Sequence, residues 1–326
     1  MTKNTLENLQ AWSTIVADTA DYEAIKKFKV TDVTTNPSII LQVATLPRYE
    51  HILKTAVKLG KETGRTLEER IENAFDMVLV LFGKEILKII PGIVHIQVDS
   101  RLAFDTESCI QRALKIVNLF AKEGIPKDKV MIKIPATWEG IQAAGVLENK
   151  HRVNCNLTTM FTLVQAAAGA EAGVTCLSPF VGLIGQWYQE HEGGPFVQDQ
   201  HPGVTALSNI YNYFKKFGYN TKVLGAYFLK VEEIKAVAGC DLVTIPLELL
   251  AELTTSNDAV PRRIGGDSAV PQFLEKMEVS ESKFRQMIDE DHMASALLSE
   301  VVRKFSTDCE ELENIIKKML VASVVE

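Results

Sequence analysis

Val130-Met131-Ile132-Lys133-Ile134-Pro135 is an apolar run fit for a fully buried strand, interrupted by a single lysine. An ammonium placed there loses its hydration, and desolvation drives its pKa down toward the range where the amine is a nucleophile. An uncharged lysine in a dry pocket is the reagent for Schiff-base chemistry with carbonyl compounds. The same window also suits a lysine paired with a buried carboxylate, or one whose head reaches water past a buried stem.

Working outward from this run, short apolar β-rich segments alternate with longer helical ones almost from end to end. The spacing predicts strands at Ile15–Thr19, Asp32–Asn36, Val94–Asp99, Val130–Ala136, Asn154–Met160, Thr175–Val181, Lys222–Phe228 and Leu242–Ile245. Amphipathic stretches fall between them at Thr66–Phe82, Asp105–Glu123, Thr162–Ala172, Gly203–Phe217 and Val231–Ala238. Eight strands with intervening helices predict a parallel sheet, and its simplest closed form is an α/β fold of the (β/α)8 TIM-barrel type. A doubly wound open sheet is the alternative. Residues Ser280 to Val325 read as a periodic, charge-rich helix pair packing outside the barrel. No Gly/Ser/Pro linker divides the chain, so residues 1–326 are read as one domain, with the helices from about 280 to 326 packed on it. The only long irregular loop expected runs from His191 to Gly203 and belongs to the catalytic rim.

The bulk numbers narrow the class. At 326 residues, 46% hydrophobic and 24% charged, the chain has the composition of an ordinary soluble globule. A net charge of -7 argues against nucleic-acid and anionic-membrane partners. The longest apolar stretches, such as Met77 to Phe82, are far too short to span a bilayer. The N-terminal Met1-Thr2-Lys3-Asn4-Thr5 lacks the apolar core of a secretory signal. Five scattered cysteines (Cys109, Cys155, Cys176, Cys240, Cys309) suit a reducing compartment and form neither a disulfide framework nor a zinc pattern. A cytoplasmic location is expected. Asn156-Leu157-Thr158 matches a glycosylation acceptor but falls in a predicted buried strand.

Barrel strands alternate inward and outward, and chemistry gathers near their C-terminal ends. With Lys133 inward, the equivalent polar positions are Asp18, Asn36, Gln97, Asn156, Thr158, Ser178 and Tyr227. A structural interior would place Val, Ile and Leu there, so polar residues converging on one lysine read as a site. His95 lies deeper on the same face as Gln97 and reads as a core histidine. Cys155 is outward and Cys176 inward but deep. His191-Glu192 lacks the second histidine of a zinc-helix motif, and no metal or cofactor site is expected.

These residues carry a resemblance. Ile15-Val16-Ala17-Asp18-Thr19, Thr34-Thr35-Asn36-Pro37-Ser38, Val98-Asp99-Ser100-Arg101-Leu102, Ile132 to Ile141, Cys155-Asn156-Leu157-Thr158 and Ser178-Pro179-Phe180-Val181-Gly182 resemble, in order, the transaldolase family. The resemblance implies a class I barrel in which Lys133 is the Schiff-base lysine and Asp18 the acid/base aspartate. Asn36, Asn156, Thr158 and Ser178 match residues that orient the sugar, the imine or the working water. Phe180 matches an aromatic packed over the imine, and Trp138 a structural signature position. Members of the family are often homodimers, although no residue here marks an interface by itself.

The chain departs from that pattern. The family places glutamate where this chain has Gln97, which can hold the working water with Thr158 but cannot take its proton. Both arginines that clamp the substrate phosphate are replaced, by Leu183 and Leu229, and the supporting serine by Tyr227. Two lost charge-assisted contacts weaken phosphosugar binding by roughly two to four powers of ten. Lys230 points outward by strand alternation, and Arg262 and Arg263 resemble a surface loop the family already has.

The sequence therefore predicts a transaldolase-like enzyme forming a Lys133 Schiff base with a small carbonyl substrate lacking phosphate. Aldol-type or iminium-driven carbon–carbon bond chemistry in specialised metabolism follows. Lys133, Asp18, Thr158 and Gln97 are the catalytic set; Asn36, Asn156, Ser178, Phe180, Leu183, Tyr227 and Leu229 shape the substrate pocket. Tyr227 either donates a hydrogen bond or fills the volume left by serine and arginine. Two alternatives stand: an ordinary transaldolase moving a dihydroxyacetone unit between phosphosugars, and a catalytically silent barrel kept for binding or regulation.

Overall fold

A computed structural model describes residues 3–196, 200–265 and 275–322. Eight strands form a closed parallel barrel in sequence order: β1 (Thr14–Asp18), β2 (Asp32–Thr34), β3 (Val94–Gln97), β4 (Val130–Pro135), β5 (Cys155–Met160), β6 (Cys176–Pro179), β7 (Lys222–Gly225) and β8 (Leu242–Ile245). The open-sheet alternative is excluded, because β1 pairs with β8 through Thr14↔Leu242 to Ala17↔Ile245.

Helices alternate with the strands: α1 (Thr5–Leu9), α2 (Tyr22–Ile25), α3 (Pro37–Ala44), α4 (Glu50–Thr63), α5 (Leu67–Leu87), α6 (Thr106–Lys122) and α7 (Trp138–Val146). They continue with α8 (Leu163–Glu171), α9 (Val181–His191), α10 (Pro202–Phe217), α11 (Val231–Ala236), α12 (Leu247–Thr255), α13 (Glu281–Glu290) and α14 (His292–Ala322). Local chemistry fixes several starts. Thr162 and Gln165 form a capping box before α8, and Thr137 accepts from Gly140 N at the start of α7.

The period-two reading of the strands holds except on β7, where Leu224 faces inward and Val223 outward, so Tyr227 does not have the inward parity expected of it. Ile132, Ile134, Cys155 and Leu157 face the main core under the helices, whereas Val16, Met131, Cys176 and Leu224 form a separate apolar cluster with the opposite parity. That inner cluster is the packed floor beneath the polar residues one layer higher. Six strands are shorter than expected, and two of them, β2 and β7, end before the site residue expected on them. Both endings matter. Asn36 is not on a strand; it is the N-cap of α3, where its Oδ1 accepts from Ile39 N at 2.9 Å and Pro37 begins the helix. Tyr227 likewise lies past β7, in left-handed backbone at φ 56°.

The tail also differs from expectation. Within 280–322 it forms α13 and α14, and residues 323–325 lie outside the described residues. Met293, Leu297, Val301 and Phe305 of α14 pack with Phe161, Phe180, Ile184 and Ala226 in a second cluster at the C-terminal ends of the strands. The helix thus overlies the barrel mouth as well as its flank. The rim loop is shorter than read, because α9 extends to His191, and residues 197–199 lie outside the described residues. Ser256 to Gly265 is a second irregular segment. Among the described residues no helix is long and apolar enough to cross a membrane.

Candidate active site

Strand register sets the deepest row. Gln97 on β3, Lys133 on β4 and Asn156 on β5 are direct neighbours, as are Asp18 on β1 and Thr34 on β2. Lys133 is 5% exposed, and its Nζ donates to Thr35 O at 2.9 Å. No ion-pair partner of Lys133 is found among the described residues, and its head does not reach the surface. Burial holds the ammonium below its ordinary pKa of 10.5, and the nearby Asp18 charge only partly offsets this.

Asp18 is shifted the other way. Burial raises its pKa above the usual carboxylate value, against the pull of Lys133 and a hydrogen bond from Thr34 Oγ1 at 2.7 Å. Thr34 in turn lies 2.5 Å from Thr244 Oγ1 on β8. Neither threonine was singled out in the sequence, although Thr34 has the parity of Asn36 and would have followed from a complete period-two reading of β2. A lysine and an aspartate whose protonation energies are pushed toward each other can exchange a proton at little cost, as acid/base chemistry requires.

Beneath them runs a second polar chain. Ser178 Oγ donates to Asn156 Oδ1 at 2.7 Å, and Asn156 Nδ2 donates to His95 Nδ1 at 3.1 Å. Burial, then the Lys133 charge, pushes His95 down to about 3, so the imidazole is neutral. It is a core histidine with one nitrogen used, and its Nε2 lacks a partner among the described residues. Gln97 Nε2 donates to Ser100 Oγ at 3.0 Å, while Gln97 Oε1 and Thr158 Oγ1 are buried without a partner among the same residues. Buried polar atoms are seldom left so, and two on the strands flanking Lys133 are placed to hold a polar reactant or water.

Above this layer opens a cavity of about 890 Å³, lined by Asp18, Asn36, Leu183, Tyr227, Leu229 and residues of α14 among others. Lys133, Gln97, Asn156, Thr158 and Ser178 do not line it; Asp18 joins the two layers. Tyr227 is 37% exposed and stacks on Phe180 with centroids 5.2 Å apart, and Phe180 meets Phe161 edge-on at 5.7 Å. The loop holding Tyr227 and Leu229 is clamped by Gly182 N to Tyr227 O at 2.9 Å and Leu229 N to the buried Glu233 at 2.8 Å.

The cations of this cavity lie where sequence reasoning did not look. Arg48, Arg303 and Lys304 line it, together with Asp18, Asp21, Glu248 and Glu300. Arg48 pairs with Asp21 and Lys304 with Asp308. Arg303 has no carboxylate partner among the described residues; its Nη2 donates to Ser299 Oγ at 3.3 Å. A charge-rich amphipathic helix ordinarily presents a solvated face, so no signal in α14 marked it. Arg262, by contrast, lines a cavity with Trp12, Thr14 and Thr31 at the opposite end of the barrel, and Lys230 is exposed. Trp138 packs on Phe284 at 5.5 Å, away from the cavity. Asn156-Leu157-Thr158 is wholly buried and unavailable to glycosylation.

The model of a family described as Transaldolase/Fructose-6-phosphate aldolase matches residues 15–316. The chain is 49% identical over 322 residues to a transaldolase of Saccharomyces cerevisiae, covering 98% of this chain and 96% of the relative. It is 48% identical over 316 residues to a probable transaldolase of Drosophila melanogaster, covering 97% and 96%. A transaldolase of Rattus norvegicus is 44% identical over 319 residues, covering 98% and 95%.

Proposed function

The chain belongs to the transaldolase/fructose-6-phosphate aldolase family, and from that premise we propose that it transfers a ketol unit between sugars through a Schiff base on Lys133. The single observation that carries the reading is the buried, unpaired Lys133 amine within the electrostatic reach of Asp18. The neutral amine adds to the substrate ketone, and loss of water closes the iminium. The iminium then draws in the electron pair of the C3–C4 bond as Asp18 takes the C4 hydroxyl proton and the aldehyde leaves. The retained enamine adds to a second aldehyde, and hydrolysis frees Lys133. Asn156 and Ser178 hold substrate polar groups, Gln97 and Thr158 hold water, and Phe180 packs over the imine.

The substrates proposed are sugar phosphates, as for an ordinary transaldolase. The full-length relatives support this, and so does the unpaired Arg303 guanidinium at the cavity. One charge-assisted contact supplies about 1.5–3 kcal/mol, enough to offset one of the two arginines expected at Leu183 and Leu229. A second reading, a neutral carbonyl substrate in specialised metabolism, is favoured by Leu229 at 45% exposure beside Leu183 and Tyr227. It is also favoured by the lining's three cations against four carboxylates.

Transfer assays with fructose 6-phosphate and with fructose as donors, each with an excess of acceptor aldehyde, separate the two. A kcat/KM at least about tenfold higher for the phosphate supports the sugar-phosphate reading, since one charge contact has that size. Equal values, or a preference for fructose, would select the neutral substrate.

A further inference from the structure

We infer that Asp308 of α14 is a positioning residue for the Lys133 site, acting on Gln97 across a water-sized cavity and supplying the negative charge that the amide lacks. The inference rests on the Schiff-base reading above. The cavity, about 10 Å³, has Thr35, Asn36, Gln97 and Asp308 in its lining, among apolar side chains of α3, α5 and α14. That volume suits one water when two or more polar groups meet it. Thr35 is also the residue whose carbonyl holds Lys133 Nζ, so the cavity adjoins the amine's anchor.

Two of the lining residues carry acceptors matched to a shared donor. Gln97 uses Nε2 on Ser100 and leaves Oε1 without a partner among the described residues. Asp308 is 3% exposed, accepts from Ser38 Oγ and from Lys304 Nζ at 2.7 and 3.0 Å, and keeps lone pairs to spare. A carbonyl and a carboxylate on one small cavity accept together from a molecule with two donor hydrogens, and water fits. Such a water is polarised by the carboxylate more strongly than by the amide alone. The Lys304 pair turns that cation toward Asp308 from the rim of the large cavity, so α14 bears on both layers of the site.

A double-mutant cycle with Asp308→Asn and Gln97→Glu tests this, read as the single-turnover rate of Lys133 labelling by dihydroxyacetone and borohydride. Asparagine keeps an acceptor for Ser38 at nearly the same volume. In the wild-type background Asp308→Asn lowers the rate about tenfold or more, with the dihydroxyacetone concentration for half-maximal rate within about twofold. In the Gln97→Glu background the same change costs less than about threefold, because the charge now sits at position 97. An equal factor in both backgrounds, or no loss in the first, overturns the role of Asp308. If circular dichroism shows Asp308→Asn unfolded, Asp308→Thr takes its place in the same cycle with the same criteria. Wild-type protein that leaves Lys133 unlabelled sinks the Schiff-base reading itself; a labelled Lys133 with an additive cycle sinks only Asp308.

Discussion

In the proposed mechanism Lys133 gives up stability for chemistry, and the exchange is measurable. An ammonium without an ion-pair partner sits at 5% exposure on the wall of a packed barrel. Lys133→Met keeps the stem and removes the charge, so it should raise the melting temperature while lowering transfer activity by about a thousandfold or more. Unchanged stability together with retained activity would place the chemistry elsewhere. The pH dependence follows from the same pair. The proposed reaction needs neutral Lys133, whose pKa is lowered by burial, so labelling should rise with pH through a midpoint below 10.5. Asp18 favours the ammonium; Asp18→Asn removes that attraction and moves the midpoint to lower pH. A midpoint that stays put or rises would mean the two groups are not coupled. At this scale the sequence was readily legible, because a lysine in an apolar strand violates the local pattern. The threonines behind Asp18 were not, since Thr suits a strand on either face.

Elements hold these side chains where strand counting alone does not. Asn36 and Tyr227 were assigned to strands by parity, yet one is a helix cap and the other follows β7 in left-handed backbone. Both still line the cavity, because the strand ends deliver them there. Periodicity cannot register where a strand stops, since the hydrogen-bonding partners that end it are distant in sequence. Gly182 at the start of α9 is the tightest of these supports. A Cβ there would lie 2.4 Å from Tyr227 O and 2.8 Å from Leu229 Cγ, a backbone and a loop that must shift to admit it. Gly182→Ala should cost about 1–3 kcal/mol of stability and raise KM more than it lowers kcat. Denaturant melts and steady-state kinetics check this, and a kcat loss with KM unchanged would contradict it.

At the scale of the whole molecule, α14 is legible as a helix but not as part of the cavity. Its period and charge announce a surface helix, and most of its length is one; only the closure of eight strands reveals that its middle lies over the barrel mouth. Closure also places Arg262 at the far end and Arg303 at the near one, a distinction no local pattern carries. If phosphate recognition rests on Arg303, then Arg303→Leu should raise KM for fructose 6-phosphate about tenfold or more and leave that for fructose within about twofold. Leu183→Arg with Leu229→Arg should lower the phosphosugar KM at least as far. No change in either variant would assign the cavity to neutral substrates. Covalent capture by one buried amine is tested by peptide mapping after borohydride reduction in the presence of a ketose. One reduced adduct per chain is expected, on Lys133, absent from Lys133→Met. An adduct on any other lysine, or none after reduction under turnover conditions, would contradict it.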